Sequence, residues 1–125
     1  MQALPGEVFK EYQKSGYFFS NLGRVWSEKK NKFLKPYPNS DNYMRVKIYA
    51  NGKVKNMFVH LMTVFLFGDK NGHFPQGPSL AALGLSVDHL NRNKRDNRVC
   101  NLEIVPHQEN CSRWSHVQVE DELPF

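Results

Sequence analysis

Residues 85–114 read LSVDHLNRNKRDNRVCNLEIVPHQENCSRW, and this stretch decides the fold. Leu85-Ser86-Val87 alternates in the manner of a strand and runs into Asp88-His89. The polar loop that follows, Asn91 to Arg98, has only basic or amide side chains in its first five positions. A second strand is predicted over Asn101-Leu102-Glu103-Ile104-Val105. Pro106 suits the first turn of a final helix, with Cys111 and Trp114 on its packing face. The outline is strand, loop, strand, helix.

Three residues of this stretch form a chemical set. At a strand end Asp88 and His89 point to opposite sides of the backbone, and a helix packed across the hairpin brings Asn110 to face one of them. Asp and Asn supply hard oxygen ligands, enough to hold one Mg²⁺ whose other positions stay open to water and phosphate oxygens. His89 is then left as a general base near neutral pH. Together these are the minimum for metal-assisted phosphodiester hydrolysis. An Asp-His dipeptide alone is weak support, because a histidine at a strand end is more often a structural hydrogen-bonding residue.

Upstream, the chain reads as strands. Tyr17-Phe18-Phe19 and Arg24-Val25-Trp26 flank the turn Ser20-Asn21-Leu22-Gly23, and Phe33-Leu34 ends in the breaker stretch Lys35 to Ser40. In YMRVKIYA-NG-KVKNMFV, Asn51-Gly52 predicts a two-residue type I′ hairpin, which sets Ala50 opposite Lys53, Ile48 opposite Lys55, Val46 opposite Met57 and Met44 opposite Val59. Beyond the turn-flanking Ala50–Lys53 pair, that face is apolar except for Lys55 and is expected on the core. The other face interleaves Tyr43, Arg45, Lys47 and Tyr49. The period then changes: Leu61, Val64, Phe65 and Phe67 predict a short buried helix from His60 to Phe67, ended by Gly68. His60 reads as a structural hydrogen-bonding residue at its start. Residues 69–84 are rich in turn formers and read as a long loop with one helical turn at Leu80 to Leu83.

VDHLNRNKRDNRVCNLEIVPHQEN resembles the HNH endonuclease motif in the zinc-free form of phage and intron homing enzymes. His89 matches its first letter, Asn101 the middle one and Asn110 the last, where Asn stands in for His. SNLGRVWS, FLKP and YMRVKIYANGKVKNMFVHLMTVFLFG are similar to the nuclease-associated modular domain found in front of such motifs, so the likeness covers about residues 8–114. It implies an α+β chain: an N-terminal antiparallel β module followed by a ββα-metal nuclease motif. The expected units are residues 1–68 for a DNA-binding module with a short helix, 69–84 for a linker, 85–116 for the nuclease motif and 117–125 for an acidic tail. The resemblance also implies that Asp88 and Asn110 ligate one Mg²⁺ or Mn²⁺, that His89 activates water, and that Asn101 holds the loop presenting His89. Double-stranded DNA is the implied substrate, with 5′-phosphate and 3′-hydroxyl ends as products. Arg92 stands where the family usually has glycine. His107, three residues before Asn110, is a second-tier metal or phosphate contact.

Composition agrees with this reading. The 125 residues carry 17 Lys and Arg against 12 Asp and Glu, a net charge of +5 that favours a polyanionic partner. Three basic groups are candidates for phosphate contact: Lys29, Lys30, Lys32 and Lys35; Arg45, Lys47, Lys53 and Lys55; and Arg92, Lys94, Arg95 and Arg98. The tail VQVEDELPF is different. Glu120, Asp121 and Glu122 hold three of the 12 acids, so residues 1–119 carry +8. Leu123, Pro124 and Phe125 after those acids resemble the tip of bacterial single-stranded-DNA-binding proteins, which implies host proteins that read such tips as partners. Cys100 and Cys111 belong to no C-x-x-C pair; no structural zinc is expected and both read as packed, reduced thiols. Neither a signal peptide nor a membrane span is visible, so bacterial cytoplasm is the expected setting. The competing reading is a basic DNA-binding accessory protein with a vestigial nuclease site.

Overall fold

A computed structural model describes residues 1–75 and 79–113. Its strands are β1 (Phe9–Glu11), β2 (Tyr17–Ser20), β3 (Val25–Ser27), β4 (Lys32–Phe33), β5 (Tyr37–Pro38), β6 (Met44–Ala50), β7 (Lys53–Phe58), β8 (Leu85–His89) and β9 (Leu102–Pro106). Helix α1 spans Val59–Phe67, and residues 107–113 are helical (α2). Single 3₁₀ turns lie at Ala81–Leu83 and Val99–Asn101. The strands form three antiparallel sheets, ordered β1-β2-β3-β4, β5-β6-β7 and β8-β9. The α+β architecture and the strand, loop, strand, helix outline of the C-terminal stretch are as expected. Among the described residues, no helix is long and apolar enough to cross a membrane.

The β6–β7 hairpin has the register that its turn dictates. Asn51 and Gly52 both take positive φ, 54° and 73°, and Ala50↔Lys53, Ile48↔Lys55 and Val46↔Met57 pair as counted. Met44, Val46 and Ile48 are buried, whereas Lys55 reaches solvent. The strand ends one residue early, because Val59 opens α1 and has no place in the ladder opposite Met44. Tyr37–Pro38, expected within a breaker, pairs with β6 as an edge strand, a position where proline's missing N–H costs no ladder bond.

Helix α1 lies where the period change put it, but on a different face. Val59, His60, Met62, Thr63 and Val64 are buried, while Leu61 and Phe65 are exposed. Almost every position of VHLMTVFLF is apolar, so spacing alone could not choose the inward side. The helix joins two apolar clusters. Val59 and Met62 enter the first, with Tyr17, Phe19, Val46 and Ile48. Val64 enters the second, with Val87 and Leu102. At about 25 cal/mol per Å² of apolar surface, each such buried side chain contributes roughly 1.5–3 kcal/mol.

After α1, Gly68 (φ 82°) sends its N–H to the carbonyl of Val64 and turns the chain toward β9. Buried Asp69 fixes that turn. Its Oδ1 accepts the N–H groups of Asn71 and His73, and its Oδ2 accepts that of Ile104 at 2.8 Å. The cysteines correct the sequence reading: both are free thiols, but they are exposed and not packed.

Candidate active site

Register places the candidate residues at one end of the β8–β9 hairpin, with His89 opposite Leu102 and Asp88 opposite Glu103. The loop between the strands is held by its own amides. Asn101 Oδ1 accepts the Asn91 N–H at 2.9 Å, and its Nδ2 donates to Asn91 Oδ1 and to the Asp96 carbonyl. Asn91 and Asn93 each accept the N–H two residues on, which is the local bonding that makes asparagine a turn former. Arg92 has φ 65°, a left-handed position that glycine fills without strain. Its Nη1 lies 3.1 Å from the His89 carbonyl and 3.5 Å from Asp88 Oδ1, turned inward.

His89 is 1% exposed, and its Nε2 lies 2.7 Å from Asn97 Oδ1. A carbonyl oxygen can only accept, so the proton resides on Nε2 and the lone pair on Nδ1. That Nδ1 is buried and has no hydrogen-bond partner among the described residues. Its ring packs 5.1 Å from His60 and 6.0 Å from Tyr43, and Tyr43 stacks on His60 at 4.9 Å. Burial lowers the His89 pKa and Lys94 adds to this, while the Asn97 bond and the Asp88 charge oppose it. His60 is pushed down to about 3, by burial first and then by His89 and Lys94. His60 is therefore not the hydrogen-bonding residue expected: its Nδ1 also has no partner among the described residues, and it contributes a neutral ring to the wall around His89.

Asp88 is fully buried. Its Oδ2 accepts from Arg113 Nη1 at 2.8 Å, and the same guanidinium reaches Glu103 at 3.0 Å and Glu109 at 3.1 Å. These contacts, the Asp88 hydrogen bond foremost, raise the Arg113 pKa further. Asn110 is 7% exposed; its Nδ2 donates to Ser86 Oγ at 2.9 Å, while Oδ1 is buried with no partner among the described residues. An orphaned amide oxygen and a buried carboxylate suit a hard divalent cation, provided that Arg113 shares or yields Asp88. No group of three or more His, Cys, Asp and Glu among the described residues could hold a metal. Asn110 lines a cleft of about 490 Å³, with Tyr43, His60, Ser86 and His107 also among its lining residues.

The remaining candidates are spread more widely. His107 is exposed, borders that cleft and has Nε2 3.4 Å from Cys111 Sγ. Lys29, Lys30 and Lys32 are exposed around the β3–β4 turn, and Lys30 approaches the Tyr49 ring of β6. Lys47 is exposed, whereas Arg45 is half-buried over Tyr37. Arg95 is exposed; Arg98 is held by both oxygens of Asp96; Lys94 donates to the Asp41 carbonyl and lies over Tyr43. Leu123, Pro124 and Phe125 lie outside the described residues, as does Trp114. Sequence reasoning missed Asn97, Arg113 and Glu103. Asn97 is one of several loop amides, and the approach of Arg113 to Asp88 depends on how α2 packs.

A family model described as HNH endonuclease matches residues 66–111. The DNA endonuclease I-HmuI of Bacillus phage SP01 is 36% identical over 89 residues, 71% of this chain and 45% of its own length. H-N-H endonuclease F-TflII of Escherichia phage T5 is 33% identical over 103 residues, covering 82% of this chain and 48% of the relative. The chain thus spans about half the length of these phage relatives. A solved structure of DNA binding and cleavage by the HNH homing endonuclease I-HmuI matches with a TM-score of 0.69 and 30% identity, over 89% of this chain and 59% of that one. With the ββα arrangement around Asp88, His89 and Asn110, these likenesses agree: residues 66–111 are an HNH endonuclease domain.

Proposed function

We propose that this chain hydrolyses DNA phosphodiester bonds with His89 as general base and one divalent cation, Mg²⁺ or Mn²⁺, and that a single site nicks one strand. The observation that carries this reading is the His89 imidazole, tied at Nε2 to Asn97 and with a buried Nδ1 that has no hydrogen-bond partner among the described residues. Its lowered pKa keeps the ring neutral near pH 7, as a base requires. Water attacks phosphorus and gives its proton to Nδ1. The P–O3′ bond breaks and the departing oxygen takes a proton from solvent, leaving 5′-phosphate and 3′-hydroxyl ends. Asn97 keeps the Nε2–H bond throughout and steadies the imidazolium, and Asn101 keeps the loop closed behind it. HNH nucleases generally use divalent metal ions; here Asp88 and Asn110 would be the ligands. When bound, the cation neutralises phosphate charge and the charge developing on the leaving oxygen. Lys29, Lys30, Lys32, Arg45, Lys47, Arg92, Lys94, Arg95 and Arg98 are the candidate contacts to double-stranded DNA, with Lys29, Lys30, Lys32, Lys47, Arg95 and Arg98 exposed to solvent.

The test is supercoiled-plasmid cleavage with Mg²⁺ or Mn²⁺, with EDTA, and with His89→Ala. Open circles are expected to precede linear DNA, EDTA to stop the reaction, and the variant to lose roughly 10²–10⁴-fold in rate. A wild type inactive with every metal, or a His89→Ala variant that nicks normally, overturns the reading. Retardation of DNA without nicking would leave the accessory DNA-binding role in its place.

A further inference from the structure

The N-terminal sheet reaches the nuclease loop through one turn. Between β2 and β3, Gly23 has φ +84°, and a Cβ built on it would lie 3.0 Å from the carbonyl carbon of Asn97 and 3.2 Å from its Cβ. The loop is fastened there as well, since the Val99 N–H donates to the Asn21 carbonyl of the same turn at 2.9 Å. The turn does not yield easily. Ser20, fully buried, accepts the N–H groups of Leu22 and Arg24 on its Oγ. Asn97 is the residue whose amide oxygen bonds His89 Nε2 at 2.7 Å. A rigid turn therefore presses on the residue that sets which imidazole nitrogen carries the proton.

We propose that Gly23 is a positioning residue for the nuclease site: the missing side chain lets the N-terminal turn seat Asn97 so that His89 is held in its Nε2–H tautomer. This rests on the reading of His89 as the base, and it assigns the N-terminal sheet a part in the chemistry beyond contact with DNA. A methyl group at position 23 must push the Asn97 backbone outward by a few tenths of an ångström, which lengthens the bond to His89. Gly52 supplies the control. It has nearly the same φ, +73°, but a Cβ there meets nothing within 4 Å among the described residues. Gly52→Ala thus imposes similar backbone strain with no contact.

The experiment is long-range ¹H–¹⁵N NMR of histidine rings in the full chain, read beside nicking rate and DNA affinity. Wild type and Gly52→Ala are expected to show His89 protonated at Nε2 alone. Gly23→Ala is expected to show mixed tautomers and kcat lower by about 10- to 100-fold, the loss typical of a slightly displaced catalytic group, with Kd for DNA within twofold. Gly23→Asn places a Cβ at the same spot in a residue that tolerates positive φ, and should show the same mixed tautomers and loss of kcat even where alanine does not fold. Asn97→Ala should reproduce the tautomer change directly. An unchanged tautomer in the Gly23 variants, or an equal loss in Gly52→Ala, overturns the proposal. A wild type that holds the tautomer but does not nick overturns the catalytic reading and leaves the positioning standing.

Discussion

Acidifying the solution from pH 7.5 to 5.0 charges histidines, and one of them should dominate the cost to the fold. His60 is 7% exposed, faces His89, Tyr43 and Lys94, and has its pKa pushed down to about 3 from an ordinary 6.5. In the unfolded chain it takes up a proton near pH 6.5; in the folded chain it resists doing so until about pH 3. Proton uptake therefore favours unfolding: the stabilisation is complete above pH 6.5 and drains away as pH falls toward 3. At pH 5 the unfolded state gains about 1.5 pH units of binding free energy, or about 2 kcal/mol at 1.36 kcal/mol per unit. With a urea slope of about 1–3 kcal/mol per molar, the unfolding midpoint should drop by about 1 M between the two pH values. The assay is urea denaturation followed by tryptophan fluorescence, for wild type and for His60→Gln. Other histidines titrate in both proteins, so only the difference between the two pH dependences is read. Equal losses in wild type and variant would refute the claim that His60 is held neutral by burial.

Three further outcomes follow from the same geometry. The acid limb of the nicking rate should fall below pH 6.5, because His89 must be neutral to accept a proton and burial lowers its pKa; a limb at or above pH 7, seen in log kcat against pH, contradicts this. Arg113→Gln should bind Mn²⁺ more tightly by about tenfold or more, since it removes a cation 2.8 Å from Asp88; free Mn²⁺ counted by electron paramagnetic resonance checks it, and weaker binding would make Arg113 an orienting residue for Asp88. Lys47→Ala and Arg95→Ala should each reduce the salt dependence of log K for DNA by about one unit of slope, measured by fluorescence anisotropy, and an unchanged slope would remove that residue from the phosphate contacts.

What could be read in advance follows physical lines. The Asn51-Gly52 hairpin was legible as far as the Arg45–Phe58 pair because two positive-φ positions leave one turn type, and register then follows by counting. Strands β8 and β9 were legible because each is short, apolar and bounded by polar turn formers. The inward face of α1 was not, since Leu61 and Phe65 are as apolar as the buried Met62. The site divides similarly. Asp88, His89, Asn101 and Asn110 stand at fixed spacing in one stretch, and the hairpin brings their backbones together. Asn97 and Arg113 depend on side-chain geometry. One of several loop amides has to turn inward, and a helix has to carry a guanidinium back over residues far upstream. The Gly23 contact joins positions more than 70 residues apart and left no local mark at either.

Helix α1 has a bearing on how such chains can be recombined. Because Val59 and Met62 complete one apolar cluster and Val64 completes the other, the helix is a party wall between the two halves. A chimaera that takes its nuclease half from one relative and its N-terminal half from another must choose a side for α1. Either choice gives one half a helix face evolved against a foreign neighbour. Viable exchanges should therefore carry the facing core residues together with the helix, and junctions drawn inside residues 59–67 should lose solubility before they lose the nuclease residues themselves.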